Sequence, residues 1–124
     1  MYGKEIDTWL SQAGDYLKSS WGVTGKFAPK CALMLLYFMQ YGLSPVITSG
    51  RRSPEKQAEL SARYAAGDRS VVVKPATNSK HLTGEAIDIS TNNPELAAQI
   101  ASSLGIGAGL FFKNAPDPVH FYAL

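Results

Sequence analysis

The spacing of apolar residues changes half-way along this 124-residue chain, and that change is the strongest constraint on its fold. In the first half, apolar residues recur at helical spacing, which predicts one helix near residues 4–19 and a second from Pro29 to Gly42. In the second half, short alternating runs predict strands instead. This order is typical of the α+β class, in which helices pack on a small, mainly antiparallel sheet.

Capping and turn residues divide the chain further. Ser53, followed by proline and glutamate, predicts the start of a helix that runs to about Ala66. Asn93, followed by the same pair, predicts another helix that ends at Leu104. Strands are predicted in four segments, with a shorter fifth at Val71–Val73: Pro45–Thr48, Glu85–Ile89, Leu110–Phe112 and Val119–Tyr122.

Bulk composition excludes several classes of protein. The net charge is only +2 and the basic residues are dispersed, so we expect no nucleic-acid partner. A single cysteine, Cys31, allows no internal disulfide, and the apolar run that it begins is too short to span a bilayer. The N-terminus lacks the apolar stretch of a signal peptide, so we expect synthesis in the cytoplasm without membrane insertion. A monomer is the default for a domain of this size.

The chain has two histidines, His81 and His120, and one aspartate, Asp88, in an unusual setting. In the predicted strand Glu85–Ile89, Asp88 faces away from two isoleucines, and an aspartate in an apolar strand is costly unless it is paired or bound to a cation. His120 likewise lies opposite the apolar face of its strand. A bend at Gly84 would bring His81 towards both side chains.

Two histidines and one aspartate, with a fourth position for water, form a catalytic zinc arrangement, because zinc lowers the pKa of its water and polarises a carbonyl. A lone histidine is more commonly a surface or core residue, which is the alternative for both. Asp117 is either a general base beside such a site or a turn residue before Pro118.

Positive charge is available at the junction of a predicted strand and helix. Arg51 and Arg52 could hold an anionic substrate or stabilise an oxyanion, or they could be two solvated arginines. Because the two are adjacent, we expect them to point in different directions. Gln57 lies one turn into the following helix and could face the same cleft.

Three segments together resemble the M15-type zinc peptidases, which include D-Ala-D-Ala carboxypeptidases and L-alanyl-D-glutamate endopeptidases. The resemblance spans about residues 45–124, keeps the order and spacing of the family pattern, and is closest to compact phage endolysins. The matching segments are Ser49-Gly50-Arg51-Arg52-Ser53 with Gln57 and Leu60, then Ser79-Lys80-His81-Leu82-Thr83-Gly84-Glu85-Ala86-Ile87-Asp88, and finally Asp117-Pro118-Val119-His120-Phe121.

The resemblance implies a role for each matching residue. Asp117 would be the general base, and Arg52 would anchor or polarise the substrate. Arg51 stands where the family has tyrosine, so either arginine could face the substrate. Gln57 would lie in the substrate cleft, and Ser79 near the metal. The resemblance implies one zinc ion, bound by His81, Asp88 and His120.

The function implied is a zinc-dependent peptidase that hydrolyses peptidoglycan stem peptides, as a D,D-carboxypeptidase or an L-Ala-D-Glu endopeptidase. We expect one zinc peptidase domain over residues 1–124, with N-terminal helices at about 4–42 and a metal-site half at about 45–124. A phage enzyme of this kind would reach the cell wall through a holin. The alternative is a catalytically silent, zinc-stabilised binding module of the same fold.

Overall fold

A computed structural model describes residues 2–71 and 79–124. Over these residues the chain forms four α-helices packed on one four-stranded antiparallel sheet, which confirms the predicted α+β class. In chain order the elements are α1 (Tyr2–Trp21), α2 (Ala28–Gln40), β1 (Val46–Ser49), α3 (Pro54–Ala65), a 3₁₀ turn (Lys80–Leu82), β2 (Ala86–Ser90), α4 (Pro94–Ser103), β3 (Ile106–Ala108), a second 3₁₀ turn (Gly109–Phe111) and β4 (His120–Ala123).

The strands lie in the order β1-β2-β4-β3, so β2 and β4 form the centre of the sheet. Their register places Asp88 directly opposite His120, and Ile87 directly opposite Phe121. At the edge, Ser49 of β1 pairs with Asp88 after a register shift. The register therefore brings two of the predicted ligand residues together as a cross-strand pair.

The core lies on the face of the sheet that carries the isoleucines of β2. Ile87 and Ile89 are fully buried, in agreement with the predicted alternation, and Phe121 of β4 lies beside them. The ring of Phe38 from α2 packs against Phe121 with centroids 5.6 Å apart. Each of these large apolar side chains stabilises the fold by roughly 1.5–3 kcal/mol through its burial.

The predicted helix starts are confirmed by their capping hydrogen bonds. The side chain of Ser53 accepts a hydrogen bond from the backbone N–H of Lys56 at 3.1 Å, at the start of α3. The side chain of Asn93 accepts one from Leu96 at 3.1 Å, at the start of α4. Both caps satisfy backbone donors that a helix leaves unpaired at its first turn.

The predicted strand Leu110–Phe112 is wrong, because those residues mostly belong to the second 3₁₀ turn. The strand lies earlier, at Ile106–Ala108, since Gly105 ends α4 with a φ of 75° and reverses the chain at once. Helix α4 and strand β3 are therefore joined by a tight turn, and not by the longer loop that the predicted strand position implied. Of the predicted strand Val71–Val73, all but its first residue lies outside the described residues.

Helices α1 and α2 pack against each other and supply much of the core. Helix α1 has 20 residues and helix α2 has 13. Most of the apolar run that begins at Cys31 is buried in α2, but Tyr37 and Met39 at its end are exposed. Among the helices of residues 2–71 and 79–124, none combines the length and the apolar character needed to cross a bilayer.

Gly84 provides a test of how closely the segment before β2 approaches the rest of the fold. Its φ is 78°, and a Cβ there would lie 2.4 Å from the carbonyl oxygen of Gly22. Gly67 has a similar φ of 82° but open space around it. We expect Gly67→Ala to cost about 1 kcal/mol of unfolding free energy through φ alone, and Gly84→Ala to cost clearly more. Urea denaturation of both variants measures the difference, and equal losses would contradict the close approach.

Candidate functional site

Three side-chain atoms of the type that bind metals converge at one end of β2 and β4. His81 Nε2 lies 3.0 Å from Asp88 Oδ1 and 3.2 Å from His120 Nδ1. His120 Nδ1 lies 3.2 Å from Asp88 Oδ1, which closes the triangle. We call these three residues the ligand trio. The structure thus brings together the residues that the sequence singled out, as a group that could hold a metal ion.

The chemistry of the trio fits a cation. His81 Nδ1 lies 2.7 Å from the carbonyl oxygen of Gly50 and must donate to it, because a carbonyl only accepts. In the neutral ring, Nε2 then presents a lone pair towards the carboxylate oxygen of Asp88. The facing atoms of the trio need either protons between them or one shared cation. A tetrahedral ion with bonds of about 2.0–2.1 Å needs ligand atoms about 3.3 Å apart, close to the observed separations.

Asp88 is the most constrained member of the trio. It is only 7% exposed. Burial acts to raise the pKa of its carboxyl, but when the facing histidine nitrogens carry protons, hydrogen bonds and positive charge from His120 and His81 outweigh burial and hold that pKa well below its ordinary value. Asp88 is therefore a carboxylate, the form in which it can bind a metal ion.

Arg52 supports that carboxylate from the opposite side to the histidines. Its Nη2 donates to Asp88 Oδ2 at 3.1 Å. Its Nε donates to Ser49 Oγ at 3.2 Å, and its Nη1 donates to Gln57 Oε1 at 3.3 Å. Each guanidinium nitrogen thus has a partner within the protein. Because Oδ2 is occupied by Arg52, Oδ1 remains directed at the histidines.

Gln57 and Ser79 act on other members of the site. Gln57 is buried at 4% exposure and holds Arg52 in place. The side chain of Ser79 accepts a hydrogen bond from the backbone N–H of His81 at 3.2 Å, at the start of the 3₁₀ turn. Ser79 therefore fixes the short turn that directs His81 into the trio.

Asp117 lies in the loop that leads into β4. Burial raises the pKa of its carboxyl above the ordinary value, and the negative charge of Asp88 raises it further, while His120 acts in the opposite direction. Its backbone N–H donates to the carbonyl oxygen of Gly109 at 2.9 Å. A Cβ at Gly109 would lie 2.6 Å from the carbonyl oxygen of Asp117, so the glycine permits this close approach.

Aromatic rings support His120 from the β3 side of the sheet. The rings of His120 and Tyr122 stack with centroids 5.6 Å apart, and Phe112 lies 6.0 Å from His120. The ring of Tyr122 lies across Gly107, where a Cβ would be 2.3 Å from it. These aromatic neighbours of His120 were not predicted, although the alternation of His120 and Tyr122 on β4 is a usable signal for them.

A cleft of about 800 Å³ borders the trio on the β1 side. Its lining includes Gly50 and Arg52, each of which also touches a member of the trio, but none of the three ligand residues themselves. Arg51 lines this cleft and is exposed. Arg52 lines the same cleft, but its guanidinium is turned inward to Asp88.

Gly50 is the functional residue that the sequence analysis missed most clearly. Its carbonyl oxygen orients His81, and a Cβ on it would lie 2.2 Å from the carbonyl oxygen of Trp21. Only glycine fits so close to the end of α1. The glycine itself was a visible signal, but nothing in the sequence indicates which backbone carbonyl a histidine contacts.

Comparison with solved structures finds ten matching chains, including the following three. The Serratia marcescens L-Ala D-Glu endopeptidase ChiX matches with a TM-score of 0.65 at 20% identity, over 90% of this chain and 86% of that one. The D,D-pentapeptidase VanY, an E175A mutant in complex with Zn(II), matches at 0.62 and 19% identity, over 82% and 72%. The LD-carboxypeptidase LdcB matches at 0.64 and 20% identity, over 82% of this chain and 58% of that chain.

No family model matches the sequence, and no curated protein matches it. Likeness at about 20% identity establishes the fold, and the chain has the fold of the M15-type zinc peptidases. The resemblance stated from the sequence motifs is therefore confirmed at that level.

The inward position of Arg52 generates a test of its role. We expect Arg52→Gln to weaken zinc binding by about 10- to 100-fold, because it removes the hydrogen bond that orients Asp88. The matched control is Arg63→Gln, which removes an arginine from an ion pair with Asp68 on the far end of α3. Competition with a chelating dye measures both affinities. If Arg52→Gln keeps wild-type zinc affinity and loses only substrate binding, Arg52 acts on the substrate instead.

Proposed function

We propose that the chain is a zinc-dependent peptidase that hydrolyses a peptide bond in the stem peptides of peptidoglycan. The observation that carries this proposal is the triangle of His81, Asp88 and His120, whose ligand atoms lie 3.0–3.2 Å apart and whose charges act on the pKa of the Asp117 carboxyl. A hydrolase needs an ionisable group of this kind near its metal to act as general base, and Asp117 can supply it.

The ligand trio would hold one zinc ion through His81 Nε2, Asp88 Oδ1 and His120 Nδ1. Zinc in such a set supplies a Lewis acid that lowers the pKa of water and polarises a carbonyl. The carbonyl of Gly50 keeps the proton of His81 on Nδ1, away from the metal position. The guanidinium of Arg52 donates to Asp88 Oδ2 and so leaves Oδ1 directed at the metal position.

Asp117 would serve as the general base and then as the general acid. In its ionised form it takes a proton from the attacking water, and it then returns that proton to the nitrogen of the leaving amine. The raised pKa of Asp117 suits both steps, because it lies nearer to neutral pH than that of an ordinary aspartate. Taking up and releasing a proton near neutral pH then costs less free energy.

The structural relatives support the substrate class. By name, ChiX is an L-Ala D-Glu endopeptidase and VanY a D,D-pentapeptidase, while LdcB is an LD-carboxypeptidase whose structure concerns peptidoglycan recognition. Three different bonds are cut on one fold, so the fold does not select the bond. Both D,D-carboxypeptidase and L-Ala-D-Glu endopeptidase activities remain within the proposal, as does an endolysin role.

Zinc binding is the first test of this proposal. We expect the purified chain to bind one zinc ion and to gain thermal stability from it, because the metal binds only the folded trio. Asp88→Asn should lose at least about tenfold in zinc affinity, while Asp15→Asn on the exposed surface of α1 should not. Metal analysis by mass spectrometry with thermal melting measures both effects. Absence of any zinc-dependent shift in the wild type would overturn the metal site.

The role of Asp117 is the second test. We expect Asp117→Asn to keep wild-type zinc affinity and to lower kcat for stem-peptide hydrolysis by about 10²- to 10⁴-fold. Product analysis of digested cell walls by mass spectrometry identifies the bond that the wild type cuts. A variant that still cleaves at the wild-type rate would rule out Asp117 as the base. A wild type that binds zinc and stem peptides without cutting them would be a binding module.

A further inference from the structure

The cleft beside the trio carries an uneven distribution of charge. Three cationic side chains line it, from Arg51, Arg52 and Lys56. Among the described residues that line the cleft, none is acidic. Field lines from charges of one sign concentrate in a cleft, so an anionic group is attracted to it.

The three cations differ in what already binds them. Each nitrogen of the Arg52 guanidinium donates to a partner inside the protein. Lys56 pairs with Glu59 at 3.6 Å, but both side chains are about half exposed, and an exposed pair of this kind contributes little. Arg51 makes no ion pair with any residue of 2–71 or 79–124. Within these described residues, the guanidinium of Arg51 therefore keeps N–H donors for a ligand.

The position of Arg51 is nevertheless fixed at its base. Its backbone N–H donates to the carbonyl oxygen of Trp21 at 2.7 Å. Its Cβ, Cγ and Cδ lie against Gly22, where a side chain would meet them at 2.8–3.6 Å. The end of α1 thus holds the aliphatic part of Arg51, and less conformational entropy is lost when its guanidinium binds a ligand.

We propose that Arg51, with Lys56 beside it, forms a subsite for a free carboxylate of the stem peptide, next to the scissile bond. This rests on the proposed function, since the substrate is taken to be a stem peptide. The guanidinium binds the carboxylate through two parallel hydrogen bonds, which a lysine does not reproduce. The subsite adjoins the trio because Gly50 and Arg52 belong to the wall of the cleft and also contact trio members.

Two positions on a stem peptide carry a free carboxylate. The D-Glu residue is linked through its γ-carboxyl, which leaves its α-carboxylate free, and the terminal D-Ala carries the C-terminal carboxylate. Amidation removes the charge from either position with little change of shape. Peptides amidated at one position or the other therefore distinguish the two sources of the carboxylate.

The experiment compares three synthetic stem pentapeptides, one with both carboxylates free and one amidated at each position. Dissociation constants are measured by calorimetry with zinc-loaded protein that carries Asp117→Asn to prevent turnover, and cleavage is measured with the wild type. We expect Arg51→Gln to raise Kd about tenfold for the free peptide, and Arg51→Lys to raise it less. Arg69→Gln is the matched control, because Arg69 is exposed and does not line the cleft.

The amidated peptide that binds equally to the wild type and to Arg51→Gln identifies the carboxylate that Arg51 binds, because amidation has already removed that carboxylate. If Arg51→Gln weakens all three peptides equally, or none of them, the subsite is overturned. Cleavage without any preference for the carboxylate would overturn the subsite and leave the peptidase. Binding with that preference but without cleavage would overturn the peptidase and leave the subsite. Neither binding nor cleavage of any peptide would overturn both.

Discussion

The buried carboxylate of Asp88 is the interaction on which the rest of the site depends. A carboxylate at 7% exposure is stable only with several partners, because burial without them costs many kcal/mol. His81 and His120 contact one oxygen, and Arg52 contacts the other. These partners come from a 3₁₀ turn, from β4 and from the segment after β1. One charge on β2 therefore ties three other parts of the chain to a common point.

The backbone around this point is packed closely enough that only glycine is accommodated. Gly50 lies against the end of α1 at Trp21, and Gly84 lies against Gly22 just beyond it. The backbone N–H of Thr24 donates to the carbonyl oxygen of Gly84 at 3.0 Å. The end of α1 thus contacts both segments that deliver site residues, one before α3 and one before β2. The N-terminal helices are consequently part of what positions the site, besides covering the core.

The sequence predicted local features well and tertiary contacts poorly. Helix periodicity, the caps at Ser53 and Asn93, and the alternation around Asp88 are local, and the structure agrees with each. The carbonyl of Gly50 that orients His81, and the inward turn of Arg52, depend on which segments meet in space. No spacing rule along the chain contains that information. The misplaced strand after α4 has a different cause, since only Leu104 and Gly105 separate α4 from β3.

The two adjacent arginines show how one short segment can serve two electrostatic purposes. Arg52 is turned inward and its charge offsets that of Asp88, so it adds little to the field outside the protein. Arg51 is turned outward, and with Lys56 it leaves the cleft positively charged. A divalent cation held by the trio would add to that charge. The carboxyl of Asp117 responds to the charges of the trio and holds its proton more readily than an ordinary aspartate. The site as a whole would therefore attract an anionic peptide through its β1 side, because that is where the uncompensated positive charge lies.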